Sequence, residues 1–70
     1  MQRTPVDSSN IRSIGYDEVG QILEIEFKTG SVYQYYAVPS GVYSNLMNPS
    51  SHGQYFAKAI KNMYSYSKIM

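Results

Sequence analysis

The chain predicts an α+β domain: a three-stranded antiparallel meander followed by two short helices packed on one face, with the alternating tail as a candidate short C-terminal strand. Two observations carry that expectation. Residues 22–28, ILEIEFK, alternate apolar and polar side chains with the period of a half-buried strand. After Pro39 the period changes, and Val42, Tyr43, Leu46 and Met47 recur at helical spacing. Strands first and helices afterwards are the pattern of an α+β fold rather than of alternating βαβ units.

The elements follow in order. The polar, proline-bearing MQRTPVDSS is an extended lead-in. NIRSIGYD (10–17) alternates weakly and reads as a first strand, with Ile14 and Tyr16 on one side and Ile11 on the other. EVGQ (18–21) is a turn. In the next strand Leu23, Ile25 and Phe27 face one way and Glu24, Glu26 and Lys28 the other. SVYQYYAV (31–38) is the third strand, closed by Pro39. Residues 40–48 form a short helix, with Ser40 as its cap and Pro49 stopping a simple continuation. Ser51 and Gln54 fit a capping box at the start of a second helix. Its apolar face is Tyr55, Phe56, Ala59, Ile60 and Met63, and its wet face carries Lys58, Lys61 and Asn62. YSYSK (64–68) alternates again, as a short strand or an ordered tail.

The turn after Phe27 decides where the tyrosines of VYQYY (32–36) point. A two-residue Thr29-Gly30 loop sets Phe27 across from Val32 and sends Tyr33 and Tyr35 to solvent. A three-residue Lys28-Thr29-Gly30 loop, with glycine in the left-handed bulge position, sets Ile25 across from Tyr33 and Leu23 across from Tyr35, which turns both rings to the core side. The slip of one residue inverts the whole face. The three-residue loop is preferred. Threonine fits poorly where a tight turn needs positive φ, and the other register buries Gln34 without a partner. Gln34 and Tyr36 then join Ile22, Glu24 and Glu26 on the opposite face.

Seventy residues make one domain, 1–70, with a small core. There is no cysteine and one histidine, His52, so neither a disulfide nor a thiolate zinc site is available; no metal or cofactor is expected. Six Lys or Arg against five Asp or Glu give a formal charge of +1, below the excess of a dedicated duplex-DNA binder. No apolar run approaches the length of a membrane span and no signal core opens the chain, so a soluble, cytoplasmic protein without a membrane partner is expected.

Candidate chemistry is sparse. Ser51-His52-Gly53 sets a hydroxyl beside an imidazole, but no third group is placed by sequence, so a cap and an exposed first-turn histidine are the simpler reading. Gly53 would let an anion approach the helix start. Glu24 and Glu26 share a strand face, which reads as a solvated, charge-protected surface more readily than as a catalytic pair. Lys58, Lys61 and Lys68, with Arg12 near them, are the best positive cluster. Tyr64 and Tyr66 interleave with Lys61 and Lys68, the arrangement that single-stranded nucleic acid uses; packing of the tail tyrosines on the sheet competes equally with it.

Several short motifs in a fixed order resemble the KTSC domain family over nearly the full length. They are Ser8 to Ile11, Ile14 to Asp17, Leu23 to Phe27 with Gly30, and Tyr33-Gln34-Tyr35. Val38-Pro39 with Tyr43, Ser51-His52-Gly53-Gln54-Tyr55-Phe56, Ile60-Lys61, and Tyr64, Tyr66 and Lys68 complete the series. Pro49 and Ala57 depart from the pattern, which favours alanine and asparagine there. The resemblance implies a small bacterial or phage protein, related to a C-terminal extension of some lysyl-tRNA synthetases, with RNA as a suggested ligand. The expectation is a non-enzymatic module that binds RNA or a nucleotide phosphate through Ser51, His52, Gly53, Lys58, Lys61, Lys68, Tyr36, Tyr64 and Tyr66. The alternative is a protein-interaction or self-associating domain, such as a phage-type protein that sequesters a host factor or a nucleotide signal, with exposed tyrosines as anchors.

Overall fold

Five antiparallel strands lie in sequence order in one sheet: β1 (Arg3–Pro5), β2 (Ile11–Asp17), β3 (Ile22–Phe27), β4 (Val32–Tyr35) and β5 (Tyr66–Lys68). The structure is a computed structural model and describes residues 1–48 and 52–70. The central three strands are the expected meander. The lead-in adds β1 at one edge, and the alternating tail adds β5 at the other. β1 is short and contains Pro5, so it carries little strand signal, and its edge position is where a proline is tolerated.

The loop after Phe27 takes the three-residue form. The Phe27 amide donates to the Ser31 carbonyl at 2.9 Å and the Gly30 amide to the Phe27 carbonyl at 2.9 Å, with Gly30 at φ 99°. Ile25 therefore faces Tyr33 and Leu23 faces Tyr35. In β2 simple alternation fails. The ladder pairs Ile11 with Phe27 and Ser13 with Glu26, so Arg12 is an extra, bulged residue. The bulge turns Ile11 into the same core as Ile14, rather than to the opposite side; both are fully buried.

Helix α1 (Ser40–Leu46) begins with Pro39 in extended geometry at the N-cap, so Ser40 is its first helical residue and not its cap. It docks through Tyr43, whose ring stacks on Tyr16 at 4.7 Å between centroids, and through the buried Leu46. The Tyr16 hydroxyl donates to the Val38 carbonyl. Helix α2 (His52–Tyr55) passes directly into a π-helical turn, Phe56–Ile60. The turn closes with the Lys61 amide donating to the Phe56 carbonyl, and the chain leaves through Asn62 at φ 70°. The helical turn ends at Ile60, so Met63 lies beyond it, off the apolar face predicted for it, and stands 66% exposed. The core is Ile11, Ile14, Leu23, Ile25, Tyr35, Val38, Leu46, Phe56 and Ile60, with Tyr33, Tyr55, Ala59 and Tyr64 packed around it. The proposed stop at Pro49 and cap at Ser51 lie outside the described residues.

Candidate functional site: an aromatic groove beside the β5 edge

Alternation along β3, β4 and β5 puts Phe27, Tyr33, Tyr35 and Tyr66 on the helix-bearing side of the sheet. The π-turn brings Phe56 over them. Their rings form a connected set. Phe27 meets Tyr33 edge-on at 5.7 Å and Phe56 at 5.5 Å; Tyr35 meets Phe56 edge-on at 5.5 Å. Tyr66 leans on Tyr33 at 5.9 Å and on Tyr35 at 5.6 Å. These separations are those of favourable ring pairs. The helical layer does not reach the β5 edge, and the five rings are left lining an open groove of about 390 Å³.

The rim is polar: Asn10, Thr29, Ser31, Lys61 and Asn62, with Gly53 and Ala57 on the helical wall. Lys61 is the one charged residue among the described residues that line it. The Asn10 side-chain oxygen accepts from the Ser8 hydroxyl at 3.3 Å, which leaves its amide nitrogen to donate elsewhere. Gly53 lets the wall approach this loop closely, because a Cβ there would stand 2.9 Å from Asn10 Oδ1 and push that side chain aside. Burial pushes the Tyr35 hydroxyl up to about 12, helped by its neighbours Tyr33 and then Tyr66, so it stays protonated at neutral pH.

The nine residues read from sequence as a ligand site do not come together. Gly53, Lys61 and Tyr66 line the groove. Lys68 stands across from Tyr33 on β5, and the register points it to the same face. Lys58 is exposed on the π-turn, outside the groove lining. Tyr64 is half-buried against the core, while Tyr66 is 56% exposed and lines the groove. Tyr36 is half-buried, its hydroxyl donating to Gln34 Oε1 at 3.4 Å. His52 is not exposed. It is 6% accessible, and its Nδ1 lies 2.7 Å from the Leu46 carbonyl, to which it donates. The imidazole closes the end of α1 against the start of α2 and is not part of the groove lining. Ser51 lies outside the described residues.

Arg12 does not join the lysines either. It lies on the opposite sheet face with Arg3, where both guanidinium groups approach Glu26 at 3.8 and 3.9 Å. Ser13 donates to Glu26 at 2.8 Å, and Gln34 donates to Glu24 at 2.9 Å. The acidic pair is thus the centre of a satisfied polar network. No group of three or more His, Asp or Glu side chains suited to a metal occurs among the described residues. No helix among them is long and apolar enough to cross a membrane.

Sequence reasoning missed Asn10, Thr29, Ser31 and Asn62, which lie in turns far apart along the chain. Asn62 carried a local signal, because asparagine is among the few residues that tolerate positive φ beyond a helix end.

The fold and groove define a small α+β domain with a five-stranded antiparallel sheet and an open aromatic site. Residues 7–64 match the family described as the KTSC domain, and the chain belongs to that family. A KTSC domain protein from Yersinia pestis has a crystal structure with a TM-score of 0.95 and 43% identity, covering 99% of this chain and 97% of that one. A protein of Stutzerimonas stutzeri is 43% identical over 70 residues, 99% of both chains. A lysine–tRNA ligase of Nostoc punctiforme is 40% identical over 63 residues, 90% of this chain. That match spans only 11% of the ligase's own length.

Proposed function

We infer that this domain is a non-enzymatic binding module that takes unstacked bases of single-stranded RNA into the aromatic groove. The observation that carries the reading is the combination of five rings with a rim whose one charge is the Lys61 ammonium. Base faces stack on aromatic rings whatever their sequence, and a cation at the rim attracts the phosphate that follows the base. The amides of Asn10 and Asn62 suit base edges, which offer both donors and acceptors. A π-turn and a positive-φ asparagine concentrate at this wall, and such departures from regular geometry cluster at functional sites. The lysine–tRNA ligase relatives carry a similar segment in proteins named for a tRNA substrate, which supports RNA as the polymer.

The test is fluorescence anisotropy with short labelled single-stranded RNA across a salt series. Affinity should fall linearly with salt on logarithmic axes, and Lys61→Ala should flatten the slope. Tyr66→Ala should weaken binding by about 10- to 100-fold, the usual worth of one stacked base. An absence of binding at low salt overturns the reading.

A further inference from the structure

We propose that two copies of this chain pair antiparallel through β5, joining their sheets and their aromatic grooves into one surface. The two edges of the sheet are built differently. On the β1 side the Val6 amide donates inward to the Arg12 carbonyl, so by alternation the nitrogen of Pro5 faces outward, where it offers no donor. That edge is blocked, as natural edge strands commonly are. β5 carries no proline. The Tyr36 amide takes the Ser65 carbonyl and the Ile69 amide donates to the Val32 carbonyl, so residues 65, 67 and 69 bond inward. The amides and carbonyls of Tyr66 and Lys68 therefore face outward.

One closed edge and one open edge select the partner. Head-to-tail growth would need β1 to accept β5, and Pro5 opposes it. Two β5 edges related by a two-fold axis satisfy each other. With the axis at Ser67, Tyr66 of each copy meets Lys68 of the other, and each such pair exchanges two backbone hydrogen bonds. Ser67 meets its own counterpart as a non-hydrogen-bonded pair, where small side chains fit. Side chains in this register are complementary, because Tyr66 already faces the groove and receives the ammonium of the partner's Lys68 beside its ring. The second copy thus adds a cation to the first copy's groove. The exposed apolar residues on this side, Tyr66, Ile69 and Met70 at 56%, 45% and 74% accessible, become interface.

The experiment is sedimentation equilibrium over a wide concentration range, without any ligand, so that its outcome is independent of RNA binding. A monomer–dimer equilibrium is expected. Lys68→Pro removes an outward amide without touching the β4 ladder, and should raise the dimer dissociation constant at least about tenfold while the far-ultraviolet spectrum stays the same. The chain has no cysteine, so Ser67→Cys gives a single thiol placed to cross-link at the two-fold axis on mild oxidation, and Ser44→Cys on α1 is the control. A monomer at every concentration, a Ser67→Cys variant that cross-links no faster than the control, or a dimer that Lys68→Pro leaves intact overturns the proposal.

Discussion

Arg3 and Glu24 form an ion pair that reaches across an intervening strand. In the register, Arg3 lies beside Gly15 and Gly15 beside Glu24, and the guanidinium crosses the bare backbone of the glycine to the carboxylate. Glu24 is 6% accessible and also accepts from Gln34, so β1, β3 and β4 are tied over β2 by polar bonds. Gly15 is what makes the crossing available. A Cβ there would stand 2.6 Å from the Gln2 carbonyl oxygen and 3.0 Å from Arg3 Cγ.

The first prediction follows from that geometry. Gly15→Ala should lower the urea midpoint by an amount worth about 1–3 kcal/mol, because a backbone oxygen must retreat and the buried carboxylate loses its cation. In the double variant with Arg3→Ala the two losses should be less than additive, since both act on one contact. An unchanged midpoint for Gly15→Ala would show that β1 does not lie where the register puts it.

A second prediction concerns the groove wall. Gly53→Ala should displace Asn10, the far end of a flexible side chain, at a cost of about 1 kcal/mol. Removing the obstacle should recover it, so Gly53→Ala with Asn10→Ala should be about as stable as Asn10→Ala alone. Chemical denaturation of the four proteins in the cycle measures the coupling, and full additivity would mean that the two residues do not meet.

These contacts show what the sequence exposed and what it withheld. The Gly30 bulge was legible because turn chemistry and the burial of Gln34 pointed to one register, and the partners of Tyr33 and Tyr35 followed from it. The helices leave the β5 edge uncovered, so Tyr35 belongs to the core and also lines the groove. The Arg12 bulge was hidden because a single inserted residue leaves no mark on a strand that alternates weakly. His52 was misplaced because its bond to the Leu46 carbonyl joins α2 to the end of α1, a contact that no local sequence pattern marks.

A third prediction comes from Tyr35. Its hydroxyl ionises near 12 in the folded chain because burial opposes the phenolate, and Tyr16 is also raised, first by burial and then by Glu18 and Asp17. The unfolded chain loses these protons near pH 10. The folded state therefore holds more protons above that pH, and stability present below pH 10 should be lost progressively as pH rises towards 12. Tyr35→Phe keeps the ring and should reduce that alkaline loss, measured as urea midpoints from pH 8 to 12. Parallel curves for the variant and the parent would show that the hydroxyl is not buried.

The last prediction separates structure from binding at His52. Its ring is buried, and Nδ1 donates to the Leu46 carbonyl at 2.7 Å, one of the carbonyls that the end of α1 leaves without a helical partner. His52→Ala removes that donor and leaves a small void, so it should cost about 2–4 kcal/mol. His52→Asn places an amide nitrogen close to the position of Nδ1 and should recover part of the loss. At temperatures where all three proteins are folded, their affinity for single-stranded RNA should be equal, because the imidazole does not line the groove. A His52→Asn variant of parental stability that binds RNA at least about tenfold more weakly would mean that the histidine contacts the ligand, and the boundary of the site would then have to extend beyond the five rings and their rim.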